Sequence, residues 1–238
     1  MRWALAILLF GALVTIPAPL EARCAMAAGE RLRLLLPSGH VSPGGVLLFV
    51  REPVYQAHGT MTFPVAQLTL RQSACQRHCT HRAPLRALAL DLYALDVAPN
   101  LAEATYTVVE TRSSFVIAAG SVAAVPTSAP VLAPAPMGTM MVGTGATQPT
   151  IELASASPAG ALGLLTHWRA TTWFTLLTVG QTGSTPIGPR RCTPDIAGRE
   201  AMAVGDRVDV TFVGEGGGLS PSTTFTSTTD IAGAPVSH

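Results

Sequence analysis

The sequence predicts an all-β protein built as two tandem β-sandwiches behind an export signal. Three observations carry that prediction. Short segments alternating apolar and polar residues recur along the chain, with Gly- and Pro-containing turns between them. Two stretches read as versions of one phrase, Leu101-Ala-Glu-Ala-Thr-Tyr106-Thr-Val108 and Met202-Ala-Val-Gly205-Asp-Arg-Val208-Asp-Val210. In each, an apolar residue leads through a short turn into an alternating strand. A proline-rich stretch, VPTSAPVLAPAPM over 125–137, lies between the two phrases.

The N-terminus sets the expected compartment. Arg2 is followed by an apolar run from Trp3 to Ile16, then by the breakers Pro17 and Pro19 and small residues. That order is a secretory signal peptide, assigned to 1–22. The run is shorter than the roughly 20 residues that span a bilayer, which weighs against an uncleaved anchor. Cleavage after Ala22 keeps Cys24, whereas cleavage after Ala27 removes it. The residues before Cys24, Glu21-Ala22-Arg23, do not suit lipidation of that cysteine.

Composition narrows the partners. The 238 residues contain 15 arginines, no lysine and a single asparagine, and the formal net charge is +1. Nucleic acid is a poor partner for such a chain, because its binding rests on clustered cations that neutralise phosphates. No later segment is long and apolar enough to predict a membrane span in the mature chain. About 210 mature residues suffice for one large or two small cores.

The first sandwich is expected over 23–124. Gly45 to Val50 is a continuous apolar run between Pro43-Gly44 and Pro53. Ala66 to Arg71 alternates, with Leu68 and Leu70 on one face. Arg86 to Tyr93 alternates again, and a strand is preferred there over the helix that Ala and Leu also allow. Ala104 to Glu110 and Ser114 to Ala118 follow. Prolines at 126, 130, 134 and 136 deny a strand its ladder donors, so 125–138 reads as a semi-rigid linker, with a long loop inside one domain as the alternative.

The second sandwich is expected over 139–228. Ile151 and Leu153 begin a strand, Leu162 to Leu165 supply another, and Thr171 to Val179 form a β-branched and aromatic one. Residues 180–189 read as a loop. Val208 to Phe212 alternates, and Thr223 to Thr228 is the last strand. The tail over 229–238 lacks periodicity and reads as disordered.

The phrase Leu101-Ala-Glu-Ala-Thr-Tyr106-Thr-Val108 resembles the L-x-x-G-T-Y-x-V element in the penultimate strand of bacterial immunoglobulin-like domains, including the copper-resistance CopC group. Ala104 stands where glycine is usual. In the second copy Gly205 is present, and Val208 stands where tyrosine is common. A cysteine soon after the signal, a P-x-x-G stretch and an apolar strand are similar to small exported proteins of the myxobacterial type with one or two such units. The resemblance covers roughly 24–228 and implies immunoglobulin-like or fibronectin-III-like sandwiches. Independently of it, the tyrosine is expected to pack its ring inward and turn its hydroxyl to backbone groups. The histidines of the copper-binding members have no match, because the first histidine after the signal is His40 and no partner for it is evident.

The densest reactive cluster is Cys75-Gln-Arg-His78-Cys79-Thr-His81. Cys75, His78, Cys79 and His81 could begin a metal site, but no second ligand cluster accompanies them. A disulfide is the simpler expectation in an oxidising compartment. The disulfide candidates are Cys24, Cys75, Cys79 and Cys192. In a flat strand Cys75 and Cys79 would lie about 13 Å apart, so pairing them requires a turn or a helical twist. That pairing leaves Cys24 with Cys192; the alternative ties Cys24 and Cys192 each to one cysteine of the 75–79 loop. Cleavage after Ala27 would leave one free thiol.

Catalytic and cofactor-binding residues are not expected. The chain has no G-x-S-x-G and no H-E-x-x-H, and its six histidines show no triad or metal-face spacing. Asp91, Asp96, Glu103 and Glu110 read as solvated strand residues, and Gly214–Gly218 as a flexible hairpin without the Lys-Ser/Thr of a phosphate loop. Trp173 is expected in the core by alternation, and Trp168, between His167 and Arg169, at the surface. The expected function is an exported, non-catalytic structural, adhesive or interaction module, periplasmic, cell-surface or extracellular, with no cofactor and a protein or envelope component as partner. The alternative is a binding protein for a small ligand or metal that uses the 75–81 loop.

Overall fold

The computed structural model describes residues 29–54, 60–63, 65–75, 79–142, 146–187 and 203–228. The expected signal peptide over 1–22, the tail over 229–238, Cys24, His78, Cys192 and Met202 lie outside them. The regular structure of the described residues is β-strand apart from one short 3-10 turn at Glu215–Gly217.

The N-terminal half contains β1 (Gly29–Leu35), β2 (His40–Val41), β3 (Val46–Val54), β4 (Gln67–Gln72), β5 (Thr80–Ala89), β6 (Leu92–Asp96), β7 (Ala104–Val108) and β8 (Ser113–Ile117). Their order is β1-β3-β6-β5-β4-β7-β8-β2. Strand β5 turns the corner, pairing with β4 through residues 80–84 and with β6 through 85–89. Two faces result, β1-β3-β6-β5 and β4-β7-β8, the strand order of a constant-type immunoglobulin sandwich. Inward residues of both faces meet in one core that includes Leu32, Leu47, Phe49, Leu68, Leu70, Tyr106, Phe115 and Ile117. Each is an alternate residue of its strand, as period-two patterning requires.

At one end of this core, Arg51 pairs with Glu30 and lies over the Phe63 ring, 4.5 Å from its centroid. On the opposite face of the same two strands, Glu52 accepts from Arg31 and Arg33 at 2.7 and 2.8 Å. Burial pushes the Glu52 carboxyl up, but the hydrogen bonds from Arg33 and Arg31 outweigh it and hold the group below its ordinary range.

The C-terminal half contains β9 (Leu132–Val142), β10 (Ala146–Leu153), β11 (Ala161–Trp168), β12 (Thr171–Leu176), β13 (Gly183–Pro186), β14 (Arg207–Gly214) and β15 (Thr223–Thr226). They form a three-stranded sheet, β13-β10-β9, and a four-stranded sheet, β12-β11-β14-β15. Ile151, Leu153, Leu164, Trp168, Trp173, Val208, Val210 and Phe212 fill the core between them. The two matched phrases open equivalent strands: β7 lies between β4 and the last strand β8, and β14 between β11 and the last strand β15.

A third cluster joins the halves. Leu35, Leu48, Val50, Ala89, Leu92 and Ala94 from the N-terminal half pack with Phe174 and Val213 from the C-terminal half. The continuous apolar run in β3 follows from this arrangement. Leu47 and Phe49 face the sandwich core, Leu48 and Val50 face the seam, and both sides of the strand are buried. Leu90 N–H donates to Thr172 O across the seam at 3.1 Å, and Ser38 N–H donates to Glu215 Oε1 at 3.0 Å.

Several expectations change. The stretch 125–138 is strand from Leu132 onward, not a linker throughout. β9 is a sheet edge, and residues 133–136, with both late prolines, stand against Glu152 alone in an irregular register. Prolines are tolerated at such a bulge because the ladder is already broken there. Upstream, Ala124 packs on the second half, where a Cβ added at Gly160 would meet it at 2.6 Å. Arg86–Tyr93 is two strands joined by a turn at Leu90–Asp91. Ile151 and Leu153 end their strand instead of beginning it, the loop at 180–189 contains β13, and β1 and β2 carried no sequence signal that was read.

Trp168 is in the core, 4 % exposed. It continues the inward face of Leu164 and Thr166 along β11, while His167 points outward.

Candidate functional site

The β4–β5 turn carries the cysteine cluster. Ser73 N–H donates to Thr105 O at 2.8 Å, and Ala74 takes a left-handed backbone with φ 58°. Gln72 N–H then donates to Cys79 O at 2.7 Å. This reversal brings the Cα atoms of Cys75 and Cys79 to 5.6 Å, and the two residues form a disulfide. Bonded sulfurs are not thiolates, so the oxidised loop withdraws both from any metal-ligand set. His81, on β5, sets its ring 6.3 Å from that of Tyr106. Of the four metal candidates, the structure thus brings two cysteines together as a disulfide and places His81 against an aromatic core residue. His78, Cys24 and Cys192 are not among the described residues.

Tyr106 is fully buried and stacks on Phe115, with ring centroids 5.9 Å apart. Its hydroxyl donates to Ala102 O, four residues upstream, at 3.2 Å. Burial raises its pKa above the ordinary tyrosine value, because the phenolate loses solvation there. This is the tyrosine corner of an immunoglobulin-type sandwich. Ala104 causes no strain in place of glycine, because it enters β7 opposite Ile117 and is not among the residues with positive φ. Gly205 does need glycine: its φ is +95°, and its N–H donates to Ser227 O at 2.9 Å.

Sequence spacing gave no hint of a polar row across the C-terminal half. Thr172, His167, Asp209 and Thr224 stand side by side on β12, β11, β14 and β15. His167 Nδ1 lies 2.9 Å from Thr172 Oγ1, and the Thr224 hydroxyl bonds to Asp209. The Asp209 carboxyl is held below its ordinary range, first by the Thr224 hydroxyl and then, against some desolvation, by Arg207 and His167. Hydroxyl, imidazole and carboxylate are adjacent, but they lie on an open sheet face. There they pair across neighbouring strands. Register, which local sequence does not encode, is what assembled it.

Two concavities lie where the halves meet. One, of about 260 Å³, is lined by Leu36, His40, Ser42, Ser121 and Glu215. The other, of about 310 Å³, has Leu34, Leu36, Leu162, Leu176 and Val179 on its walls together with Arg33. Among the described residues no group of three or more His, Cys, Asp or Glu side chains is placed to hold a metal ion, and no helix is long and apolar enough to cross a membrane.

No protein-family profile matches the chain, and no curated protein matches it. The resemblance to bacterial immunoglobulin-like domains therefore rests on the short phrases. Among solved structures, the FN1–FN3 domains of chicken CNTN1 align at 12 % identity over 84 % of this chain, with a TM-score of 0.27. The chain covers 66 % of that structure's length. A likeness at that score carries no argument about fold or function; the fold is read from strand order and the buried cores.

Proposed function

We propose that this chain is an exported, non-catalytic interaction module, in which two tandem immunoglobulin-like sandwiches, one over 23–124 and one that begins with the strand at Leu132 and runs to 228, act as one rigid body behind a cleaved signal peptide at 1–22. The carrying observation is the seam, where Leu48 and Leu92 of one half and Phe174 and Val213 of the other are buried together. A flexible pair of sandwiches would keep these side chains polar. Burying them fixes the orientation of the halves, which suits presentation of loops and faces to a partner. The Cys75–Cys79 disulfide supports the export part of the reading, since such bonds persist in oxidising compartments.

The test is thiol trapping on fractions of cells that express the full chain. Export predicts a protein shortened at its N-terminus, outside the cytoplasm, whose Cys75 and Cys79 react with a maleimide only after reduction. A full-length, thiol-reactive protein in the cytoplasm would overturn the proposal.

A further inference from the structure

The two broad faces of the N-terminal sandwich are not equivalent. The C-terminal half covers much of the β1-β3-β6-β5 face through the seam. The outer side of β4-β7-β8, continued by the first residues of β5, is open. Its inward residues Leu68, Leu70, Tyr106, Val108, Phe115 and Ile117 are in the core, so the alternate residues point outward.

Most of those outward residues on the strands are cationic or hydroxyl-bearing. Thr80, Arg71, Thr107 and Ser114 form one transverse row, and Arg82 lies opposite Thr69 in the next. Arg71, Arg82, Thr80 and Ser114 are exposed. Arg71 and Arg82 are diagonal neighbours on adjacent strands, roughly 7–8 Å apart at the backbone. Neither has an ion-pair partner among the described residues. The Thr107 and Ser114 hydroxyls are 3.1 Å apart and present further donors and acceptors. Glu110, in the adjoining turn, turns its carboxylate onto the Thr69 N–H at 2.9 Å.

We propose that this face binds a carboxylate-bearing acidic polysaccharide. Charge complementarity selects an anion. A guanidinium fork matches a carboxylate with two parallel hydrogen bonds, and two forks on a flat sheet suit charges repeated along a polymer. The threonine and serine hydroxyls suit sugar hydroxyls. A protein partner fits less well, because the aliphatic groups on this face, Val109 beside Thr69 and Val116 opposite Thr105, are small and set apart from each other, no aromatic ring joins them, and protein interfaces are depleted in serine. This inference names a partner class for the proposed interaction module and rests on that reading.

The full chain is passed over a polyuronate resin and over a neutral dextran resin at low ionic strength. Retention on the polyuronate alone, with elution by salt, is the expected result. Arg71→Gln and Arg82→Gln should each weaken binding about tenfold, the loss expected for a hydrogen-bonded charge. Arg71→Lys should weaken it less. Arg207→Gln, an equal charge change on the C-terminal half, should leave it unaltered. Flow-through of the wild type, equal retention of the Arg71 and Arg82 variants, or equal loss with Arg207→Gln would each overturn the proposal. Unchanged urea midpoints for all variants separate lost binding from lost folding, and the compartment, read by thiol trapping, is independent of retention.

Discussion

Replacing Phe174 by alanine tests whether the seam joins the halves into one cooperative unit. The ring is 2 % exposed and belongs to the cluster shared with Leu48 and Leu92. It lies against Gly163, where an added Cβ would meet the ring Cε2 at 2.2 Å and the Thr175 carbonyl oxygen at 2.5 Å. Glycine has no side chain to lean into the space that the ring vacates, and the strand on either side is fixed by its ladders. The cavity therefore persists, and the loss reaches at least the middle of the range for Phe→Ala, about 4 kcal/mol. Urea unfolding of the full chain is the assay, followed by tryptophan fluorescence, which reports Trp168 and Trp173, and by far-ultraviolet circular dichroism, which reports both halves. One coincident transition is expected for the wild type. The variant should either shift that transition by the full amount or split it, with the N-terminal half unfolding separately. Leu48→Ala, on the other side of the seam, should couple to Phe174→Ala by at least about 0.5 kcal/mol in a double-mutant cycle. A wild type that unfolds in two independent steps, with Phe174→Ala moving only one, would refute the reasoning.

Tyr106→Phe removes the hydroxyl that donates to Ala102 and should cost about 1 kcal/mol in urea unfolding. Because burial raises the Tyr106 pKa, its contribution is complete below the unfolded value near pH 10 and is lost as pH rises toward the folded value; the phenylalanine variant should lack that alkaline step. Glu52 shows the opposite sign. Its lowered folded value gives stability that is present above the unfolded value of about 4.5 and lost as pH falls through the folded one, so Glu52→Gln should flatten the acid limb of a melting-temperature profile. Paired replacement of Cys75 and Cys79 by serine should cost about 2 kcal/mol, the chain-entropy value for so short a loop, with the far-ultraviolet spectrum unchanged. A loss several-fold larger would mean that the disulfide holds more than its own turn.

Local pattern was legible where a strand has one dry side. Leu68 and Leu70, Tyr106 and Val108, and Val208 and Val210 all fall inward as their alternation predicts, and the two phrases do open equivalent strands. Strands escaped where alternation was masked. β9 holds prolines at a bulged edge, β13 is four residues of small and polar side chains, and Leu90–Asp91 interrupts an alternating run with a turn that contains no glycine. The polar neighbours of Trp168 suggest the surface, but its parity with Leu164 places it inward.

By itself, the sequence determined the all-β class, the inward face of most strands and the tyrosine corner, because period two and turn chemistry act over a few residues. Tertiary structure alone decided that Cys75 bonds to Cys79, that His167 stands between Thr172 and Asp209, and that the outer face of β3 is buried against the second half. Each of these depends on register or on packing between segments far apart in the chain. Local patterning has no information about such distances, and only the folded chain brings those atoms together.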